Sequence, residues 1–553
     1  MKRYILVVVA LLIACGSSPN GFGSDAGGSD GGGSPFGDGA AMSDECVAAE
    51  QAGASIGCEY FAVEMDGAWA ADNGCFVSFL ANTSTSLAQV TASFQGVDVD
   101  LSAHAAIPHG AGTTLTLDPF DPGTGIPPGQ VAILFLAGPP TIGTPRSQGD
   151  FDTPVECPML PAFSTLTQLH GTGMGRAFHI TTTAPVVAYQ MLPYGGGDAA
   201  VTGASLLLPT SVYGTNYIAV DAYGGSLTSG SSSTSMDIVA SQDGTNVTIL
   251  PNVDIMAGGG VPAATANTPA TYMLNAGETL QVTQVQEITG SPIQSDKPIG
   301  LFAGHPCLNV PVGQPYCDHA EQQIPPVQAL GHEYMAVTYR QRAQSAENPP
   351  WRIIGAVDGT TLTYSTPVGG PSSVNQGDVL EFDTGTPFVV QSQDANHPFL
   401  FVGYMTGAST VTPSDGYGDA DFVRAVPTDQ YLSQYVFFTD PTYPETNLVI
   451  TRKATNGAFA DVTLDCAGTL TGWQNIDATH QYTRIDLVRH DFQPQGNCNN
   501  GQHQMQSTAQ FGLTVWGWGS PETTTWTGYV SYGYPAGENV QTLTNVVVPP
   551  TPK

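Results

Sequence analysis

The sequence predicts an all-β protein: tandem antiparallel β-sandwich modules preceded by a disordered tether rich in Gly, Ser and Asp. Three observations lead there. Only 11% of the 553 residues are charged, whereas Gly (65) and Pro (42) abound, which suits strands joined by many turns better than long helices. Strand-turn-strand segments recur at domain-sized intervals. Beyond the N-terminal cysteine the count is even, as in exported chains that carry disulfides. A chain this long exceeds what one core supports, so several domains are expected.

The N-terminus comes first. "MKRYILVVVALLIAC" places Lys2 and Arg3 before an apolar run from Tyr4 to Ala14, too short to span a bilayer and matching a signal-peptide core. Leu12-Ile13-Ala14-Cys15 resembles a bacterial lipobox, so residues 1–14 are expected to be a lipoprotein signal peptide and Cys15 the lipid-attachment residue. Several acyl chains on one residue anchor stably. Residues 15–44 then read as a flexible Gly-rich tether with an end-to-end distance of roughly 30 Å. The expected modules follow: an N-terminal Cys-containing β module at 45–203, further β modules at 204–440, a C-terminal β-sandwich at 441–540, and a tail at 541–553.

Repetition supports the modules. "VTASFQGVDVDL" (Val90–Leu101), "IVASQDGTNVTIL" (Ile238–Leu250) and "IIGAVDGTTLTY" (Ile353–Tyr364) share an apolar run, a polar-Gly turn and alternating residues. Asp243-Gly244 and Asp358-Gly359 are dipeptides that tight hairpins favour. Downstream of each unit lie Gly129-Gln130-Val131, Gly277-Glu278-Thr279 and Gly377-Asp378-Val379. Pro-led apolar strands follow, in "APVVAYQM", "KPIGLFAGH" and "HPFLFVGYM". A degenerate fourth copy runs from Asp461 to "FGLTVWGWG". Repeats of about a hundred residues exceed a propeller blade of ~40–45 and match a β-sandwich domain.

These residues also carry a resemblance. "SDKPIGLFAGHPC", "YCDHAEQQIPP", "VASQDGTNVTIL", "AVPTDQYLSQYVFFTDPTYP" and "SYGYPAG" resemble the N-terminal domain of IgGFc-binding protein. "SIGCEYFAVEMD" and "APVVAYQMLPYGGGDAAVTGASLLLPTSVYGTNYIAV" are similar to bacterial lipoproteins that carry this domain, so the likeness spans Cys46 to Gly537. On this resemblance the modules at 204–440 are IgGFc-binding-like. It implies a binding role, named in the founding, mucus-associated member for antibody Fc. The von Willebrand type D repeats that accompany the domain in animals are not apparent here, so Fc binding does not transfer by default.

The candidate chemistry is sparse. A formal charge of −33 argues against a nucleic-acid groove, which needs clustered Lys or Arg. His305, Cys307, Cys317 and His319 could form a zinc site, but the spacing lacks close pairs, and export favours a Cys307–Cys317 disulfide. Cys466–Cys498 is expected within one module; Cys46, Cys58, Cys75 and Cys157 allow three pairings, of which 46–58 with 75–157 is preferred because the first pair is local and the second flanks one β-unit. Asp415, Asp419 and Asp421 lack the order of a calcium loop and read as a solvated turn. G-x-S-x-G occurs at Gly53–Gly57 and Gly27–Gly31 without the strand-turn-helix setting of a nucleophile elbow.

No catalytic residue, metal or cofactor is therefore assigned. The aromatic C-terminal stretch gives Trp516, Trp518, Trp526, Tyr529, Tyr532 and Tyr534; Trp516 with Trp518, and Tyr532 with Tyr534, share strand faces. They fill a core, or form a stacking platform for a ligand. The expected function is non-catalytic: a lipid-anchored adhesion protein on the bacterial outer membrane or cell surface, recognising an extracellular protein or glycan and touching the membrane only through its anchor. An envelope polysaccharide hydrolase and a purely architectural surface protein are the rivals.

Overall fold

The computed structural model describes residues 43–143, 152–225, 233–413, 416–524 and 527–552. The expected signal peptide, Cys15, nearly all of the tether, Asp415 and Trp526 lie outside these residues. The fold is all-β, as expected, with a single α-helix among the described residues. That helix, Asp44–Ala52, is capped by Ser43, whose hydroxyl accepts from the Cys46 amide at 3.2 Å, and it stops at Gly53 in the left-handed region. Asp44 and Glu45 sit in its first turn, where carboxylates complement the helix dipole.

The strands form four modules with one plan. In three of them a long strand bends between two layers, and in the remaining one the equivalent strand is split in two. In the first, Phe178–Leu192 pairs through its first half with Ile56–Ala62 and Val90–Phe94, and through its second half with Phe76–Asn82 and Gly203–Leu207. In the second, Pro292–Leu308 does the same with Gly214–Ile218 and Thr245–Ile249, then with Thr234–Ala240 and Asp318–Ile324. In the fourth, Gln502–Trp518 joins Leu432–Phe438 and Val462–Leu464 to Glu445–Lys453 and Ser531–Pro535. In the third the long strand is broken at 393–398 into Phe388–Ser392 and Phe399–Met405, which gives two separate four-stranded sheets. The fourth module opens at Leu432, upstream of the expected boundary at 441, and Gly203–Leu207 closes the first.

One expectation from the turn dipeptides is corrected. Asp243-Gly244 does not close a hairpin. Thr234–Ala240 pairs with Glu278–Gln284 and with the long strand of one layer, while Thr245–Ile249 pairs with Ala270–Leu274 in the other. Asp358-Gly359 likewise links two layers. The dipeptide supplies the positive φ of a reversal (63° at Gly244, 71° at Gly359), but burial of both layers chooses the partner strand. Asn275 Oδ1 accepts from the Gly244 amide and Asn375 Oδ1 from the Gly359 amide, so the second repeated signature anchors the first. Among the three quoted repeats, Gln95-Gly96 alone joins directly paired strands.

A shared lock opens every module. Tyr60, Tyr217, Tyr334 and Tyr435 are buried, and each hydroxyl donates to a carbonyl of its long strand: Val186, Ile299, Phe399 and Phe511. In the last three the hydroxyl also accepts from the amide three residues back. Gly57, Gly214 and Gly331 lie against Pro209, Pro326 and Pro427 of the following connection, where a Cβ would stand 2.2–2.5 Å from the proline ring.

The last strands of the four modules meet. Gln322 Nε2 donates to the Ala204 and Gly533 carbonyls, Arg424 Nε to the Gln323 carbonyl, and Thr202 Oγ1 to the Ser531 carbonyl. Contacts thus run from first to second, third and fourth strand and back to the first. The segments before the first module and after the fourth complete this circuit: the Ser55 amide donates to the Glu538 carbonyl, the Glu538 amide to Ser55 Oγ, and the Val540 amide to the Gly53 carbonyl.

Candidate functional site

The residues singled out in the sequence are placed as follows. Disulfides join Cys46 to Cys58, Cys75 to Cys157, Cys307 to Cys317 and Cys466 to Cys498. Cys307 and Cys317 therefore offer no thiolate to a metal. His305 is buried, its Nδ1 accepts from the Cys307 amide at 2.9 Å, and burial pushes its pKa down to about 3. Asp465, Cys466 and His503 cluster, but Cys466 is spent on its disulfide and His503 on hydrogen bonds with Asp465 and the Asn499 carbonyl. Ser55, the hydroxyl of one G-x-S-x-G match, is committed to the closure of the circuit.

The platform expectation is overturned. Trp516, Trp518, Tyr532 and Tyr534 are exposed by 5%, 0%, 0% and 3%, so no ligand reaches their faces. The tryptophans pack with Tyr339, Met405, Val423 and Val449; the tyrosines pack with Tyr443 and Tyr189. Gly517 and Gly533 make room for this: a Cβ at either would lie 2.2–2.7 Å from the ring of Tyr532 or Trp516. Aromatic rings interleaved with glycine here mark close packing between paired strands.

The junction of the last strands is acidic and closed to solvent. Asp318, Asp419, Asp421 and Glu321 are all buried, as are Glu64 and Asp237, so Asp419 and Asp421 do not form the expected solvated turn: Asp421 opens the buried strand Asp421–Arg424. Asp318 accepts from the Thr202 and Ser531 amides, and Glu321 from Gln190 Nε2. Burial pushes every one of these carboxyls up, Glu64 and Asp419 to about 7; Asp221, buried beside Glu287, also rises to about 7. An acid whose folded pKa is raised stabilises the fold fully below its unfolded value, near 4, and that contribution is lost as pH rises to about 7. The protein is therefore expected to resist urea better at pH 5 than at pH 8, with a higher unfolding midpoint at pH 5. The lowered His305 works the other way below its ordinary value and offsets only part of what the several raised acids contribute.

Accessible chemistry gathers instead at the seams, where the loop after the first strand of one module meets the next module. Between the first and second modules a cleft of about 600 Å³ is lined by Asp66, Trp69, Asp72, His170 and Thr283. Trp69 is 41% exposed and sits in the left-handed region at φ 57°, rare for so bulky a residue. Its loop is locked from all sides. Gln168 Nε2 donates to the Met65 carbonyl, and its Oε1 accepts from the Asn73 amide. Asp66 accepts from His170 Nδ1 and the Gly171 amide, both at 2.9 Å, and that bond raises the His170 pKa. The Val155 amide donates to the Ala70 carbonyl beside the Cys75–Cys157 bridge. Ordering such a loop costs nothing at the moment of binding.

Trp69 was not singled out in the sequence. "DGAWAADNG" has no strand alternation, and its signal is a lone large aromatic among turn formers.

The comparisons with known proteins come to rest on one family. The family model described as IgGFc binding protein matches residues 203–517, from the last strand of the first module into the long strand of the fourth. No curated protein matches the chain. A solved structure of an anti-sigma factor domain-containing protein from Clostridium clariflavum aligns at 9% identity with a TM-score of 0.10, covering 57% of this chain and 97% of that one, a likeness that carries no structural weight.

Proposed function

The chain belongs to the IgGFc binding protein family, and from that premise we propose that it works by binding: a non-catalytic adhesion protein, anchored to the bacterial envelope through Cys15, that recognises an extracellular protein or glycoprotein. The observation that carries this reading is Trp69, an exposed aromatic on a pre-ordered loop over a polar cleft. Rigid aromatic anchors of this kind dominate binding energy at recognition surfaces. Four disulfides fit an oxidising location outside the cytoplasm. Among the described residues no helix is long and apolar enough to cross a membrane.

The hydrolase reading lacks a comparable support. The carboxyls raised at the strand junction are at most 5% exposed, and Asp66 is held by His170 and the Gly171 amide; Asp383 and Glu50, which burial also raises, are accessible but lie on different modules. An acid that cannot touch substrate protonates nothing. An array of host proteins, glycoproteins and envelope polysaccharides probed with the full chain tests the function; hydrolysis of an arrayed polysaccharide, with retention on no array feature, overturns it. For the anchor, Cys15→Ser is expected to abolish incorporation of labelled palmitate and to leave the signal peptide uncleaved by the lipoprotein peptidase. Unchanged labelling refutes the anchor.

A further inference from the structure

The seam between the third and fourth modules carries a second pocket, of about 340 Å³, lined by Thr338, Gln341, Asn348, Thr386 and Arg484. It sits as the Trp69 cleft does: the loop after the first strand of one module faces the next module's strand, here His480–Arg489, that borders its second strand. Arg484 makes this pocket unusual in a chain with 47 acidic and 14 basic residues. Among the described residues, every other arginine except Arg452 pairs with a carboxylate. Arg452 is satisfied without one, lying 3.6 Å over the Trp473 ring and bonded to Gln481 and the Ala460 carbonyl.

Arg484 is left with less. Its Nε donates to the Thr338 carbonyl at 2.8 Å and one Nη2 proton to Thr338 Oγ1 at 3.3 Å, with the guanidinium 4.9 Å from the centre of the Tyr482 ring. Asp486, two residues along the strand, is already spent on Arg340 and Asn447. Glu347 in the same pocket is spent on Arg342 and Tyr339. Among the described residues no carboxylate is hydrogen-bonded to this half-buried guanidinium, and Asp486 is shared with Arg340 and Arg489; the desolvation cost of burial therefore lowers its pKa even though Tyr482 and Asp486 act to raise it. An incoming carboxylate would relieve that cost through the paired geometry that arginine favours.

The rest of the lining says what the carboxylate is attached to. Asn348 uses its Oδ1 to accept from the Gly385 amide, which leaves its Nδ2 as a donor, and Thr386 donates its amide to Thr384 Oγ1 while its hydroxyl makes no hydrogen bond among the described residues. Amide and hydroxyl groups around a volume of this size fit one hydroxyl-bearing ring better than an aspartate or glutamate side chain. We propose that this pocket binds an acidic saccharide, a uronic or sialic acid residue whose carboxylate pairs with Arg484 and whose ring hydroxyls meet Asn348 and Thr386.

The test is calorimetric titration of the full chain with methyl β-D-glucuronide and with methyl β-D-glucoside, which differ at the carboxylate. Sodium acetate and triglutamate are titrated alongside. The glucuronide is expected to bind about tenfold or more tightly than the glucoside, the worth of one charge-assisted pair. Arg484→Gln should bring it down to the glucoside's level with the melting temperature unchanged. Thr386→Ala should weaken the glucuronide several-fold, and it carries the test if the arginine variant fails to fold. Trp69→Ala should leave glucuronide binding intact, so a failure here is separate from a failure at the other seam. Equal binding of the two glycosides, binding of neither, or glucuronide binding undiminished in Arg484→Gln overturns the proposal. Acetate or triglutamate binding as tightly as the glucuronide also overturns it, in favour of a site for a protein carboxylate.

Discussion

Replacing Arg424 with alanine should destabilise the protein by about 3–5 kcal/mol, the cost of stranding a buried charge. Arg424 and Glu538 are exposed by 2% or less, and Nη1 donates to Glu538 Oε2 at 2.8 Å while Nη2 donates to Oε1. Arg424 Nε holds the Gln323 carbonyl as well. The pair thus ties the last strands of the second and third modules to the C-terminal segment whose backbone pairs with Ser55. Alanine leaves the Glu538 carboxylate buried without a counter-charge. Changing both residues to methionine should cost far less, because well-packed apolar replacements avoid the desolvation penalty of both ions. Urea midpoints of the single and double variants measure the difference; equal losses would show that lost packing, rather than the stranded charge, sets the cost.

Trp518→Ala should cost a comparable amount, about 3–5 kcal/mol, from lost burial and the cavity left behind. The ring is fully buried, 5.9 Å from Tyr339, with the Arg340 guanidinium 4.8 Å from its centroid. A ligand platform at this position would have behaved oppositely, with folding intact and adhesion lost. Chemical denaturation and array binding of the same variant separate the two: lower stability with the partner still bound by the folded fraction is the expected pair of results.

Much of the fold was legible, for identifiable reasons. Alternating apolar runs and turn glycines are local, so the strands of each sandwich could be read from sequence. The pairings 46–58 and 307–317 are local too, and Cys75–Cys157 and Cys466–Cys498 each close within one module. What depends on partners distant in the chain was not legible. Asp243-Gly244 states that the chain reverses but not that the two strands enter different layers. The helix Asp44–Ala52 carried its signals in Ser43 and Gly53, yet it adjoined a Gly-rich stretch whose composition masked them. Gly-x-x-Tyr recurs at Gly57, Gly214 and Gly331, and Leu432 replaces the glycine in the fourth copy, so the shared lock emerges only from the hydrogen bonds.

The candidate sites follow the same division. Trp516 and Trp518 drew attention because aromatic density suggests a surface, but density cannot say which face a strand buries, and both faces are covered here. Trp69 and Arg484 stand alone in sequence and gain meaning from neighbours brought by another module: His170 and Gln168 around one loop, Thr338 and Asn348 around the other.

The affinity of the Trp69→Ala chain for the partner found on the array tests the central claim most directly. Trp69 is 41% exposed and lies outside the buried core clusters of the described residues, so the melting temperature should stay close to the wild-type value. The affinity should fall at least about tenfold, as expected when a binding anchor is removed. Wild-type affinity in a correctly folded Trp69→Ala chain would contradict recognition at this seam.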